Sequence, residues 1–417
     1  MKKILNAEYG GIHATYWMAY AVITSFASAF LLDRGYSNSE IGLILAVGSV
    51  VAVFMQPFMA DIADRSKRIS LIGVTQIVTA LIAVLMIFCF IMQKASIALS
   101  VVFVMMIAWH TALQPLFNSL AFKLEESGYT INFGVTRAMG SLAYSILCSF
   151  LGTLAEKYGT QVLPITGELV LVMLFITLCL VSAHFKKACA ENKGSQLRGA
   201  ESADGCTAPE EAVIPEEDIN LLQFIKRNKL FLVVNVGVAG IFFSNAIFNS
   251  FMLQIVENVG GNGEDMGRIL SIMAFLEIPP MFLFAKVNKK FSCKTLLQFG
   301  AVCFTLKILF AYLAKSVAMV YFAQLFQLGA FGIFLPAMVN FIDEIMDKGE
   351  AVKGQALYTI VTTVASIFSS LVGGMILDIR GAAVMLLVST VITAVGALIF
   401  ICVIGKVKSK KTTAQAA

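Results

Sequence analysis

Charge is scarce in this chain. Asp, Glu, Lys and Arg make up 14% of its 417 residues, against about 25% in soluble domains. That argues against a soluble globular protein. The net charge of +5 has no soluble domain on which to form a basic nucleic-acid-binding face. The eight cysteines are scattered, with no CxxC pair and no histidine nearby at zinc-ligand spacing, so they read as small hydrophobes rather than a disulfide framework or metal site. No phosphate-cradling GxxxxGK[ST] and no Ser/His/Asp arrangement on a loop is present, so neither an enzyme nor a cofactor is expected. A cleavable signal peptide is not expected either, because the first apolar run, Ile12 to Leu32, is longer than the 7–15 residues of a signal core.

Apolar residues are abundant. Residues of the AVILMFWYC set make up 58% of the chain, with 33 Phe and 19 Met, in runs far longer than the roughly ten-residue alternating strands of a membrane β-barrel. Each transmembrane helix needs about 20 such residues. The runs predict helices at about 12–32, 41–60, 70–93, 97–122, 133–154 and 162–183, then at 230–256, 266–285, 295–314, 317–341, 355–377 and 383–405. The only long polar stretch, Lys186 to Lys229, has GAESADGCTAPEEAVIPEED at its heart, a composition that reads as a flexible linker. The expected organisation is a six-helix bundle over residues 1–185, a cytoplasmic linker over 186–229, a second six-helix bundle over 230–405 and a tail over 406–417. Basic residues accumulate on the cytoplasmic side. With both termini there, only Arg34, Lys94, Lys157, Arg268, Lys315 and Arg380 of the loop residues fall outside.

Six helices, a linker and six helices suggest duplication. LGTLAEKYG (Leu151–Gly159) and GGMILDIRG (Gly373–Gly381) align Gly152, Glu156 and Gly159 with Gly374, Asp378 and Gly381. The basic loop DRSKR after the second helix is echoed by KVNKKFSCK after the eighth. Two pseudo-symmetric bundles with a site between them near the midplane follow.

An ionisable group at the centre of a membrane costs about 2.5–3.5 kcal/mol on insertion scales, so such groups are read as functional. Three lie well inside the expected spans: Arg137, Glu277 and Lys307. In NFGVTRAMGSLAY, Ser141 and Tyr144 share the helix face of Arg137. A guanidinium, a hydroxyl and an aromatic ring suit a polyhydroxylated ligand; the alternative is a helix-end arginine paired with lipid or linker. Glu277, followed by Pro279 and Pro280, could face Arg137 across the cavity or form a structural ion pair with Lys307. Burial pushes carboxylates in general toward neutrality and a neighbouring arginine pushes them back, a balance that suits a proton-coupling acid. Amide pairs at helical spacing, Gln114/Asn118, Asn245/Asn249 and Gln324/Gln327, could line a cavity or join helices. The histidines His13, His110 and His184 read as packed or helix-end residues.

These residues resemble the major facilitator superfamily. QPFMADIADRSKR, Gln56 to Arg68, is similar to its signature loop GxxxD(R/K)xxxR(R/K), with Asp64, Arg65, Lys67 and Arg68 matching and Ala60 in place of a glycine. Within the superfamily the chain resembles the lactose permease-like group of oligosaccharide/proton symporters, through RGYSNSEIGLI, NFGVTRAMGSLAY and AFLEIPPMF. The resemblance implies an all-α integral membrane fold of twelve helices, with Arg137 binding sugar, Tyr144 stacking on it, Glu277 contacting sugar or coupling protons, and Lys307 assisting proton translocation. It implies that Asp64, Arg65, Lys67 and Arg68 form a conformational latch. Asn118 or Ser119 stands where the group's namesake has a sugar-binding glutamate, Gln327 and Ala330 where it has a histidine and the proton-carrying glutamate, and Ala246 and Asn249 where it has aspartates.

The expectation is therefore a monomeric sugar transporter of a prokaryotic cytoplasmic membrane, coupled to protons. The site comprises Arg137, Ser141, Tyr144, Glu277, Asn118, Asn245, Asn249 and Gln327, with Glu277 and Lys307 in coupling. The alternatives are a permease for an organic or sugar acid, an uncoupled facilitator, a multidrug exporter of the same fold, or a transport-dead sensor.

Overall fold

The computed structural model describes residues 2–65, 70–126, 133–199, 224, 227–346 and 348–407. Among these, helices carry nearly every residue and there is no strand. A helix satisfies its own backbone polar groups, so an apolar chain of this composition can cross a bilayer as helices without exposing any.

The first half comprises α1 (Lys2–Tyr20), a π-helical turn (Ala21–Ser25), α2 (Ala27–Asp33), α3 (Asn38–Arg65), α4 (Leu71–Ile91), α5 (Ile97–Glu126), α6 (Phe133–Tyr158) and α7 (Val162–Gly199). The second comprises α8 (Lys229–Glu257), α9 (Gly263–Val287), α10 (Cys293–Tyr312), α11 (Val317–Gln324), α12 (Gln327–Ile345) and α13 (Lys348–Ile404). Ten of the described helical stretches are long and apolar enough to span a membrane, and α1 with α2, bent by 43°, makes an eleventh. The twelfth lies within α13. Its apolar stretch Glu350–Ile404 has 55 residues, about 80 Å if straight, against a hydrocarbon core of about 30 Å. The chain turns back at Gly381, whose φ of 78° is open to glycine at no steric cost. The result is an all-α membrane fold of twelve spans. Large apolar side chains such as Phe54, Phe58, Phe122, Phe150 and Ile379 point outward, exposed to the surroundings as lipid-facing residues are.

Several boundaries differ from those expected. The first span begins near Lys2 and is interrupted at its π-turn, and the tenth is broken at Leu325–Phe326. Helix α7 continues to Gly199, so the part of the expected linker from Lys186 to Gly199 is helical. Its Ala, Glu, Lys, Gln, Leu and Arg residues are strong helix formers. The remainder of the linker, 200–223, and the tail from 408 lie outside the described residues. So do Lys67 and Arg68, while Asp64 and Arg65 close α3.

The two ends of the barrel-like assembly are packed differently. The far end carries the turns at Asp33–Asn38, Tyr158–Val162, Glu257–Gly263 and Gly381; the linker end carries α7's exit and the start of α8. Buried side chains from the far half of the second bundle, among them Ile247, Phe251, Met266, Ile269 and Met385, merge with those of the first bundle into one continuous core. At the linker end the second bundle closes on itself, in a separate core around Phe231, Phe304, Phe334, Phe341 and Phe400. The halves are thus fused at the far end and separate at the linker end.

Two seams make the far-end contact. In the α3–α13 seam, a Cβ on Gly42 would strike the Ser370 carbonyl and one on Gly374 the Asn38 carbonyl. In the α6–α9 seam, a Cβ on Gly152 would lie 2.5 Å from the Gly263 carbonyl and one on Gly267 2.5 Å from the Cys148 carbonyl. Only glycine permits backbones to approach this closely.

Candidate functional site

Where the seams end, a cavity of about 230 Å³ opens between the bundles. Its first-half wall is built by Trp17 and Tyr20 of α1 and by Arg137, Ser141 and Tyr144 of α6; its second-half wall by Asn245 and Asn249 of α8, Glu277 of α9, and Gln327 and Phe331 of α12. The i, i+4 and i, i+7 spacing of the α6 residues turns them to one side. One turn beyond, Ser145 Oγ donates to the Ser271 carbonyl at 2.9 Å and joins the two walls on the far-end side. Toward the linker end, Arg137 and Ser141 also border an apolar hollow of about 350 Å³ walled by Ile278, Met281, Leu335, Pro336 and Val339.

Arg137 is held from two directions. Its guanidinium carbon lies 4.1 Å from the centroid of the Trp17 ring, a cation–π contact worth about 0.5–2 kcal/mol depending on solvation, and Nη1 donates to Ser141 Oγ at 3.4 Å. Trp17 can lie this close to α6 because residue 140 is glycine; a Cβ there would sit 2.5 Å from the indole Cδ1. Tyr144 lines the cavity as well, but its hydroxyl donates to Ser25 Oγ at 2.8 Å and fastens α6 to the π-turn. The aromatic face on the arginine is therefore Trp17, a residue the sequence reading did not single out.

On the opposite wall, Glu277 and Lys307 do not meet directly. Gln327 stands between them: Lys307 Nζ donates to its Oε1 at 2.6 Å, and its Nε2 donates to Glu277 Oε1 at 2.6 Å. A primary amide carries one acceptor end and one donor end, so it can bridge an ammonium and a carboxylate in one orientation. Lys307 is 1% exposed and lies behind the amide rather than in the cavity. Its Nζ is also 4.3 Å from the Phe248 ring centroid and 3.4 Å from Met273 Sδ. Close approach of α12 to α9 at this level depends on Gly332, where a Cβ would lie 2.9 Å from Pro280 Cγ.

The structure thus brings Arg137, Ser141, Tyr144, Glu277, Asn245, Asn249 and Gln327 to one cavity, with Lys307 behind it. Asn118, half-buried on α5, does not line it. Nor does Gln324, whose Nε2 donates to the Val320 carbonyl of its own helix at 3.2 Å. The histidines are occupied elsewhere: His110 stacks on Tyr16 with ring centroids 4.4 Å apart, His13 Nε2 is 3.1 Å from the Tyr9 hydroxyl, and His184 Nδ1 is 2.6 Å from Glu8 Oε1.

An arginine and a carboxylate from different bundles face one cavity that is closed at the far end, an arrangement that can bind a polar solute. The chain is similar to known transporters over nearly all of its length. The maltose permease of Geobacillus stearothermophilus is 23% identical over 390 residues, covering 92% of this chain and 91% of that protein. The probable 3-phenylpropionic acid transporter of Escherichia coli (strain K12) is 22% identical over 355 residues, covering 85% and 86%. Among solved structures, the nucleoside transporter NupG superposes with a TM-score of 0.72 at 14% identity, covering 97% of this chain and 100% of that one, and so shares the fold. The sequence model of the MFS_1 like family matches residues 9–388. The chain therefore belongs to the MFS_1 like family of the major facilitator superfamily, and it is a multi-pass membrane transporter rather than an enzyme.

Proposed function

We propose that this transporter carries a di- or oligosaccharide across a prokaryotic cytoplasmic membrane by proton symport with alternating access. The observation that carries the reading is the pairing of Arg137 with Glu277 across one cavity, each contributed by a different bundle. A guanidinium can donate two parallel bonds to neighbouring hydroxyls, a carboxylate accepts from others, and the Trp17 indole offers an apolar face to a pyranose ring. Because the two groups sit on separate bodies, a ligand that binds both draws the bundles together, which is the coupling that alternating access needs. The bundles 1–185 and 230–405 are the moving bodies. With both termini cytoplasmic, as the Lys and Arg distribution favours, the closed far end is the outer face and the cavity faces inward.

Protons enter through Glu277. Gln327 Nε2 donates to its Oε1; a sugar hydroxyl that binds beside the amide adds a donor to the carboxylate and so alters its affinity for a proton. Asp64, Arg65, Lys67 and Arg68 latch the linker end in the opposite state, and the transporter works as a monomer. A second reading, a permease for an organic or sugar acid, is favoured by the two cations Arg137 and Lys307 against one Glu277, and by the relative that carries the name of a 3-phenylpropionic acid transporter.

The test is solute-evoked proton uptake in proteoliposomes, across neutral disaccharides, trisaccharides and carboxylates, for the wild type and Glu277→Gln. Sugar-evoked alkalinisation of the medium, abolished by the substitution with exchange retained, supports the symporter. Sugar entry without proton movement makes it a facilitator. Uptake of carboxylates alone replaces the sugar reading with the second.

A further inference from the structure

A second hollow adjoins the cavity toward the closed end. It measures about 110 Å³ and shares Tyr20, Asn245 and Asn249 with the first. Its chemistry is different. Hydroxyls line it, from Thr24 in the π-turn, Ser49 of α3, Ser250 of α8, and Thr362, Ser366 and Ser370 of α13, and no charged side chain does. The three from α13 recur every fourth residue and so form one stripe along that helix.

Part of this polar surface is already committed. Ser49 Oγ donates to the Leu45 carbonyl at 2.8 Å, Thr362 Oγ1 to the Thr359 carbonyl at 3.0 Å, and Ser250 and Ser370 face each other at 3.3 Å. A hydroxyl whose proton is given to its own helix retains lone pairs that accept. The rest is uncommitted: the amides of Asn245 and Asn249 and the hydroxyls of Thr24 and Ser366 hydrogen-bond to nothing among the described residues. None of their polar atoms is buried without a partner, so these groups stand open to the cavity, free for a partner that comes and goes. The partner is uncharged, since no ion faces it, and rich in hydroxyls, since donors and acceptors alternate around it. Size sets the number of rings. The first hollow falls short of the roughly 300 Å³ at which pockets for drug-sized ligands begin, and the two together just reach it. The closed seams leave no room beyond on the far-end side, and the hollow toward the linker end is walled almost wholly by apolar side chains, which give a third ring few hydrogen-bonding partners.

Resting on the sugar reading above, we infer that the Thr362/Ser366 hollow is a second glycosyl subsite, which makes the preferred substrate a disaccharide rather than a monosaccharide or a longer chain. One ring lies against Trp17 between Arg137 and Glu277. The other enters the hydroxyl-lined hollow, and Asn245 and Asn249 stand at the junction and address the oxygens around the glycosidic bond.

The experiment is calorimetric binding to the purified full-length protein in detergent. The probes are maltose, lactose, sucrose and trehalose, their constituent monosaccharides, and the trisaccharides maltotriose and raffinose. The proteins are the wild type, the nearly isosteric double variant Thr362→Val/Ser366→Ala, and Ser49→Ala on the other bundle. The wild type is expected to bind one disaccharide about tenfold more tightly than its component monosaccharide and than either trisaccharide. The double variant is expected to erase that advantage, about tenfold for two lost hydrogen bonds, with monosaccharide affinity within about twofold. Ser49→Ala is expected to show the same selectivity change in smaller measure. A thermal melt unchanged from wild type excludes misfolding as the cause. Equal losses for one and two rings, or no loss for either, overturn the subsite while leaving the sugar reading intact. Binding of carboxylates with no binding of any sugar overturns both.

Discussion

The α3–α13 and α6–α9 seams use the same parts in the same order: a capping residue before the helix, Ser37 or Asn262, a glycine five residues on, and on the facing helix a glycine followed four residues later by a carboxylate. They use them differently. In the first, Asp378 accepts from the Asn38 backbone N–H at 3.0 Å, from Asn38 Nδ2 at 3.0 Å and from the Ser39 N–H at 2.7 Å, and Gln254 Nε2 donates to Asn38 Oδ1 at 2.9 Å. In the second, Glu156 accepts only the Gly263 N–H, at 3.0 Å. Asn262, in register with Ser37, caps its own helix, its Oδ1 accepting from the Glu264 and Asp265 N–H groups at 3.1 and 3.2 Å, while Gly263 stands in register with Asn38. Helix α3 therefore depends on the other bundle for more of the free N–H groups at its start than α9 does. Separating the first seam exposes more unsatisfied donors and removes a carboxylate from a helix N-terminus. The unequal hydrogen bonding makes the α3–α13 seam the more tightly held of the two and the α6–α9 seam the smoother one.

The strongest way to break the comparison is to remove it altogether. Gly374→Val drives side-chain carbon into the Asn38 carbonyl and Gly152→Val drives it into Gly263. Neither backbone can yield without opening the seam, so both variants are expected to fold, to bind substrate and to transport below about 1% of the wild-type rate, because one of the two end states is lost, a penalty of about 3 kcal/mol or more. Labelling of a Ser250→Cys reporter behind the seams by a membrane-impermeant maleimide added at the far-end face measures it: the reporter is expected to turn from protected to reactive. Continued transport with a protected reporter would mean that the far end does not need to close.

Next in size is the difference between the carboxylates. Hydrogen bonds to a charged group are worth about 1.5–3 kcal/mol when shielded, and much less at exposed positions such as these. Asp378→Ala is expected to lower occupancy of the closed far end about tenfold and Glu156→Ala about threefold, read from spin-label distances across the seams. Equal effects would dissolve the distinction between the more and the less tightly held seam.

How much of this was legible in the sequence depends on what carries the information. The twelve spans were, because hydrophobic length survives any arrangement of the helices. The seam was in part: Gly152 and Glu156 against Gly374 and Asp378 is a linear pattern, and these residues meet the partner helices at the far end, while Gly159 and Gly381, both at positive φ, turn the chain beyond it. The arginine face with Ser141 and Tyr144 followed from helical periodicity. What the sequence could not display is which helices touch. Trp17 is one aromatic among many in an apolar chain, and its contact with Arg137 crosses from α1 to α6 through a glycine at 140. Asn118 has the spacing of a cavity residue, but α5 packs with that position away from the cavity. The bends at Phe26 and at Phe251 in α8 have no proline or glycine to announce them. The signature loop at Ser66–Ile69 falls outside the described residues.

The finest test of the comparison sets two asparagines against each other, Asn262 before α9 and Asn38 at the start of α3. Asn262→Ala removes an N-cap side chain that serves only its own helix, so it is expected to cost about 1 kcal/mol of stability and to leave the distribution between end states unchanged. Asn38→Ala removes a donor to Asp378 and an acceptor for Gln254. The start of α3 keeps its own capping pair, with Ser37 Oγ accepting from the Glu40 N–H at 3.2 Å and Glu40 Oε2 accepting from the Ser37 N–H at 2.8 Å. Stability should therefore change little, while closure of the far end weakens about two- to threefold, the worth of a partly exposed hydrogen bond. Thermal melts and spin-label distances on the same two proteins separate the cases. If Asn262→Ala shifts the end states and Asn38→Ala lowers the melting temperature, the roles assigned to the two seams are reversed.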